Sequence, residues 1–164
     1  MAKIFLILIL IFLLNLKINA TEISGVPKII DGDTVHISTK KIRLEGIDAP
    51  EMRQSCKLQY LKFSFFTFNK TYSCGVKSKE KLRKKINNEN ITCKILSRDR
   101  YKRYLATCYK KKTNLNKWMV RNGHAVAYLR YSKKYFKDEN YAKKKGLGIW
   151  RGAFLRPEKW RKLN

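Results

Sequence analysis

Acidic side chains are the scarce component of this sequence: 12 Asp and Glu stand against 38 Lys and Arg in 164 residues, for a formal net charge of +26. That imbalance excludes a charge-balanced surface. It makes polyanions the natural partners, nucleic acid first, with anionic membrane or glycan as competitors. Histidine is scarcer still, and His36 and His124 have no companion at ligand spacing, so both are read as structural. No two of the four cysteines have CxxC spacing, which argues against a zinc knuckle or a redox dithiol. The apolar run Ile4–Leu14 is too short to span a membrane comfortably. There is no internal repeat, linker or low-complexity tract.

What is present begins with a leader. Residues 1–20 (MAKIFLILILIFLLNLKINA) combine a lysine near the start, the apolar run and a small Ala20, the layout of a secretory signal peptide, with an uncleaved N-terminal anchor as the alternative because Ile18 is a poor match to the small residue expected two before Ala20. The expected organisation is a signal peptide over 1–20 and one domain over 21–164, exported to the periplasm or secreted. Without the leader's two lysines the net charge is +24. Cys56, Cys74, Cys93 and Cys108 all follow the cleavage point, and an even count in an exported chain predicts two disulfides, with three possible connectivities. If residues 100 and 101 centre a hairpin, Cys93 and Cys108 face each other across it. Cys56 and Cys74 would then close a loop for which chain entropy gives roughly 3 kcal/mol.

Period-two alternation over residues 26–47 predicts two or three antiparallel strands. Residues 52–75 read as an irregular connection in which Phe63, Phe65, Phe66 and Phe68 form an apolar patch under a disulfide. Leu82 and Ile86, four apart, predict a surface helix over 76–87. Strands follow at 91–97 and 103–109. The stripe Leu115, Trp118, Met119 predicts a helix stopped by Asn122 and Gly123, and a last helix runs over 134–145 to Gly146. The sum is an α+β domain.

Five of the twelve acids fall in one window, Ile30 to Glu51 (IDGDTVHISTKKIRLEGIDAPE). A turn at Lys40–Lys41 would place Ile37 opposite Leu44 and Asp33 opposite Asp48. Two carboxylates so placed repel unless a cation sits between them or one keeps its proton. Oxygen ligands of this kind select a hard divalent ion such as Ca²⁺ or Mg²⁺. Arg43, between apolar Ile42 and Leu44, projects from the other strand face and offers a fork of donors that matches two phosphate oxygens. Glu51, on the loop past Pro50, could orient or deprotonate a water. Further on, DRYKRYLA sets Arg100 and Arg103 beside aromatic Tyr101, joining phosphate-binding charge to a stacking ring. The constellation suits metal-assisted attack of water on a phosphodiester. The string DGDTV also fits the DxDx[TV] signature of haloacid dehalogenase-like phosphatases, but the later acidic pair that chemistry needs is missing, since Asp99 and Asp138 are far apart in sequence.

Three segments, DGDTV with IRLEGIDAPE, DRYKRYLA, and LNKWMVRNGHAVAY leading to GLGIW, resemble the thermonuclease (staphylococcal nuclease-like) family in order and spacing. The resemblance implies an α+β fold built on a five-stranded OB-fold β-barrel with about three helices. It implies a Ca²⁺-dependent phosphodiesterase acting on DNA and RNA, with 5′ P–O cleavage leaving 3′-phosphates. On that basis Asp33, Asp48 and the Ala49 carbonyl match the metal ligands, with Asp31 and Thr34 supporting them. Glu51 matches the general base, and Arg43 and Arg103 the arginines that grip the scissile phosphate. Tyr101 and Tyr128 match the lining of the nucleotide pocket, with Arg100 beside them. The expected protein is a monomer with no obligate protein partner. Two departures stand out: Lys102 replaces the usual Gly of DRYGR, where a positive φ would strain the turn and displace Arg103, and Ala49 replaces a threonine. The aromatic segment Leu58–Tyr72 has no counterpart in the pattern. The rival reading is a non-catalytic cationic OB module that binds nucleic acid or anionic surfaces.

Overall fold

The computed structural model describes residues 21–63 and 66–164. The leader and Phe65 lie outside these residues. One mixed sheet carries β1 (Glu22–Gly25), β2 (Lys28–Ile29), β3 (Thr34–Ile37), β4 (Lys40–Leu44), β8 (Ile91–Arg98), β9 (Tyr104–Lys110) and β10 (Thr113–Asn114). Its order is β1-β8-β9-β4-β3-β2, with β10 on β9, and only β4 and β9 run parallel. Two small sheets stand apart. One pairs β5 (Ile47–Asp48) with β11 (Val126–Ala127), and the other is the hairpin of β6 (Ser55–Phe63) and β7 (Phe66–Ser73). The helices are α1 (Cys74–Ile86), α2 (Leu115–Arg121), α3 (Phe136–Lys144) and α4 (Pro157–Leu163), with a 3₁₀ turn at Gly148–Arg151. The curled sheet, with four helices among the described residues, is the expected α+β, OB-like architecture.

The expected periodicities are those that pack. Val35, Ile37, Ile42 and Leu44 from the first strands meet Leu82 and Ile86 of α1 and Leu115 and Met119 of α2 in one core. At about 25 cal/mol per Å² of apolar surface removed from water, such large side chains supply the main driving force. Both disulfides form, Cys93–Cys108 and Cys56–Cys74. Cys93 and Cys108 are register partners across the β8–β9 hairpin, while a bulge between Ile95 and Ser97 shifts the pairing by one residue nearer the turn.

Two expectations are corrected. The β3–β4 turn lies at Ser38–Thr39, not at Lys40–Lys41, so Ile37 pairs with Lys40 and Thr34 with Arg43. A two-residue hairpin turn needs a positive φ, which Ser38 supplies at 52°. Asp33 and Asp48 are therefore not cross-strand partners: Asp33 continues β3 beside Leu44, whose amide donates to its carbonyl at 2.8 Å, and Asp48 pairs with Val126. The second correction concerns residues 52–75, most of which form the β6–β7 hairpin rather than an irregular connection. A bulge between Gln59 and Leu61 shifts the phase of the alternation that would have announced it. Phe63 and Phe66 pair at the hairpin's far end, seven positions from the disulfide at Cys56 and so roughly 23 Å away along the strand. Phe68 is half exposed. The backbone of Phe63 and Phe66 is thus not beside the disulfide.

Candidate active site

The parallel pairing of β4 with β9 sets Arg43 beside Leu105. Arg103 immediately precedes β9, two residues before Leu105. Arg43 and Arg103 line a cavity of about 1020 Å³, together with Asp33, Ala49, Glu51 and Tyr101. Arg100, Tyr128, Tyr131 and Arg161 also line it.

Arg43 is the centre of the acidic cluster. Its Nη1 donates to Asp33 Oδ1 at 2.7 Å and its Nη2 to Asp48 Oδ1 at 3.0 Å. The cation that lets two buried carboxylates approach is, in this structure, a guanidinium delivered by the adjacent strand. Asp33 Oδ1 also accepts from Thr34 at 3.1 Å, and Oδ2 accepts from the Ala49 amide at 2.8 Å, so the two chain segments are tied together. Asp31 caps the loop by accepting from the Asp33 amide at 2.9 Å. Burial, and then the Asp33 charge, push the Asp31 carboxyl up to about 6. Burial likewise raises Asp48, against the pull of Arg161 and Arg43. Arg43 is held charged, because Asp33 and Asp48 outweigh its own burial.

Two close approaches set this loop. A Cβ on Gly32 would lie 2.1 Å from Ser78 Oγ and 2.6 Å from Ala49 Cβ, so only glycine lets residues 31–33 pass between α1 and the Asp48–Ala49 segment. A Cβ on Gly75 would lie 1.8 Å from the Glu51 carbonyl oxygen, so glycine also lets α1 begin directly against the Glu51 loop. Fully buried Gln54 closes that loop: its Oε1 accepts from the Glu51 amide at 3.2 Å and its own amide donates to the Glu51 carbonyl at 2.8 Å. Through Nε2 it donates to the Leu155 carbonyl at 2.7 Å, joining the loop to the C-terminal segment.

The β8–β9 turn forms with Lys102 at φ 61°, the left-handed conformation that glycine adopts freely. Arg103 lines the cavity beyond this turn. The Asp99 carboxylate accepts from the amides of Tyr101 and Arg103, each at 2.9 Å, and from Arg103 Nε at 2.7 Å. These bonds hold the turn against the strain. They also depress the Asp99 carboxyl in spite of its partial burial. Tyr101 is exposed, with the guanidinium of Arg100 4.8 Å and that of Arg103 5.4 Å from its ring centroid. Tyr128 meets Tyr131 edge-on at 4.8 Å.

The structure thus brings every expected site residue to one cavity or directly beneath it, Asp48 being reached through Arg43 and Arg161. It adds two residues the sequence did not announce, Tyr131 and Arg161. Arg161 comes from α4, whose start was signalled only by Pro157 in the first helical position. Outside the cavity, His124 packs 5.2 Å from Trp118, which lies against the core.

The cluster fits a divalent ion on its charge. Asp31, Asp33, Asp48 and Glu51 offer four carboxyl groups against the two guanidiniums of Arg43 and Arg161. Among the described residues no three His, Cys, Asp or Glu side chains converge as a cage. The available donor set is therefore two aspartates with backbone and water oxygens, which is the chemistry of Ca²⁺ or Mg²⁺.

Comparison with known proteins gives the same direction. A family model described as "Staphylococcal nuclease homologue" matches residues 41–152. An "Uncharacterized endonuclease" of Haemophilus influenzae is 35% identical over 145 residues, covering 84% of this chain and 71% of its own. "Succinoglycan biosynthesis protein ExoI" of Rhizobium meliloti is 33% identical over 135 residues, covering 80% and 66% respectively. "Micrococcal nuclease" of Shigella flexneri is 28% identical over 157 residues, covering 85% and 80%.

Proposed function

Because the chain belongs to the family of staphylococcal nuclease homologues, we propose that it is an exported, Ca²⁺-dependent endonuclease that hydrolyses phosphodiester bonds of DNA and RNA. The observation that carries this reading is the convergence of Arg43, Arg103, Asp33 and Glu51 on one cavity, with Asp48 bonded to Arg43 beneath it. A pure polyanion binder gains nothing from crowding acids into its groove.

In the proposed reaction Arg43 and Arg103 hold the equatorial oxygens of the scissile phosphate and stabilise the charge that develops there. Glu51 orients the attacking water and accepts its proton as the new P–O bond forms and the bond to the 5′ oxygen breaks; the leaving oxygen takes a proton from solvent, giving a 5′-hydroxyl and a 3′-phosphate. Tyr101 and Tyr128 flank the nucleotide, and Arg100 adds charge at the rim. Asp33, Asp48 and the Ala49 carbonyl would hold the Ca²⁺, which when bound supplies Lewis-acid polarisation of a phosphoryl oxygen.

Residues 1–20 act as the export signal and residues 21–164 as the mature domain, working as a monomer in the periplasm or outside the cell. Two disulfides suit an oxidising compartment. Digestion of heat-denatured DNA and of RNA by the oxidised protein should require Ca²⁺ and stop with chelator. Glu51→Gln should lower kcat by about 10²- to 10⁴-fold while nucleotide binding persists. Protein that shifts nucleic acid in a gel and never cuts it, whichever divalent ion is supplied, would establish the cationic binding module instead.

A further inference from the structure

The C-terminal helix carries a cation into the acidic cluster that none of the three motif segments supplies. Arg161 lies 113 positions from Asp48 and 110 from Glu51 in sequence. Its Nη1 donates to Asp48 Oδ1 at 2.9 Å and to Glu51 Oε1 at 2.7 Å, and its Nη2 donates to Asp48 Oδ2 at 3.1 Å. Asp48 is held by a two-pronged fork, the arrangement a guanidinium matches best. We propose that Arg161 is a resident counter-ion of the site, which a divalent cation must displace from Asp48 and Glu51, so that α4 gates metal loading. The inference rests on the metal-dependent reading above.

Three observations carry it. First, the oxygens coincide. Asp48 Oδ1 already accepts from both Arg43 and Arg161, and Oδ2 accepts from Arg161. A divalent ion bonds carboxylate oxygens at about 2.0–2.6 Å, and it cannot take Asp48 Oδ2 or Glu51 Oε1, which Arg43 does not touch, while the Arg161 fork of donors occupies them.

Second, the two arginines differ in what would have to move. Arg43 stands on a central strand, locked between two aspartates, with 15% of its side chain exposed. The Arg161 side chain is 34% exposed, on a seven-residue helix, two residues before Leu163, which is 71% exposed. Arg161 is the cation that can leave.

Third, α4 is anchored at its start, away from Arg161. Arg156 forks onto buried Glu139 at 2.8 and 3.1 Å and donates to the Ala127 carbonyl at 2.9 Å. Leu155 is tied to Gln54, and Pro157 is buried. The Arg161 side chain, or the last turn with it, can therefore swing off the carboxylates while the helix start stays docked. The same link reaches Glu51 from both sides, through Gln54 and through Arg161. In the metal-free protein Arg161 offsets repulsion between Asp48 and Glu51, and its release frees Glu51 for water. The consequence is a raised Ca²⁺ threshold for activity.

An internal competitor weakens apparent affinity by the fraction of molecules in which it is displaced. Charge-assisted hydrogen bonds of the kind Arg161 makes leave that fraction at about one in ten to one in a hundred. The test is Ca²⁺ titration by calorimetry of the wild type, Arg161→Ala, Arg161→Gln and Arg161→Lys. Arg161→Gln covers the case in which alanine loosens the helix. The neutral variants should bind Ca²⁺ about 10- to 100-fold more tightly than wild type, with Arg161→Lys in between, and Ca²⁺ should speed hydrogen exchange over residues 158–164 in wild type only. Equal or weaker Ca²⁺ binding by both neutral variants overturns the gate. If those variants still digest DNA with Ca²⁺, the proposed function stands without it. No Ca²⁺ binding by any of the four proteins removes the metal reading and the gate together.

Discussion

Arg43→Met tests whether the acidic cluster is held together by its guanidinium. Methionine keeps much of the volume and removes two charge-assisted hydrogen bonds, at 2.7 Å to Asp33 and 3.0 Å to Asp48. The carboxylates left behind are 5% and 1% exposed. Removing one partner of a buried ion pair costs about 3–5 kcal/mol. Asp48 keeps Arg161, so the lower end, about 3 kcal/mol, is expected. For a domain of this size that is a fall in Tm of roughly 6–12 °C. The pH dependence follows from the sign of the shift. Burial already raises Asp48 above its ordinary value, and losing Arg43 raises it further. The penalty is complete at pH values above that folded pKa and shrinks as pH falls through it. Urea denaturation of oxidised, metal-free protein should therefore show a wild-type-to-variant gap that is largest at pH 7.5 and smaller at pH 5. Millimolar Ca²⁺ should narrow the gap as well. A gap below about 1 kcal/mol at pH 7.5, or one unchanged at pH 5, would refute the account.

Lys102→Gly should relieve the strain of a non-glycine residue at φ 61°; after the entropy glycine adds to the unfolded chain, a gain of about 0.5–1 kcal/mol is expected in thermal melts. A loss of stability there would mean that the turn is not left-handed in solution. His124 is half-buried, and burial, aided by Lys81 and Lys77, pushes it down to about 4 from an ordinary 6.5. Between those values the unfolded chain binds the extra proton, so stability falls as pH drops from 6.5 to 4, by up to about 3 kcal/mol for this group. Urea melts of His124→Asn across that range should show a slope shallower by that amount, and parallel profiles would place His124 in solvent.

Local signals determined a good part of this protein. Alternation in Val35, Ile37, Ile42 and Leu44, the Leu82–Ile86 pair, and the Leu115–Trp118–Met119 stripe gave the core elements, because side-chain periodicity depends only on backbone geometry. The clustering of Asp31, Asp33, Asp48 and Glu51 among so few acids marked the site, and hairpin symmetry anticipated the Cys93–Cys108 bond. Where a bulge or turn broke the period, the reading slipped: Ser38 moved the β3–β4 register, and the bulge after Gln59 hid the β6–β7 hairpin. Asp33 and Asp48 meet not across a ladder but around Arg43, whose position depends on the parallel pairing of β4 with β9. Arg161 could not be foreseen at all. Nothing in a seven-residue basic helix says what it docks against, and only the closure of the chain over more than a hundred residues sets its guanidinium between Asp48 and Glu51.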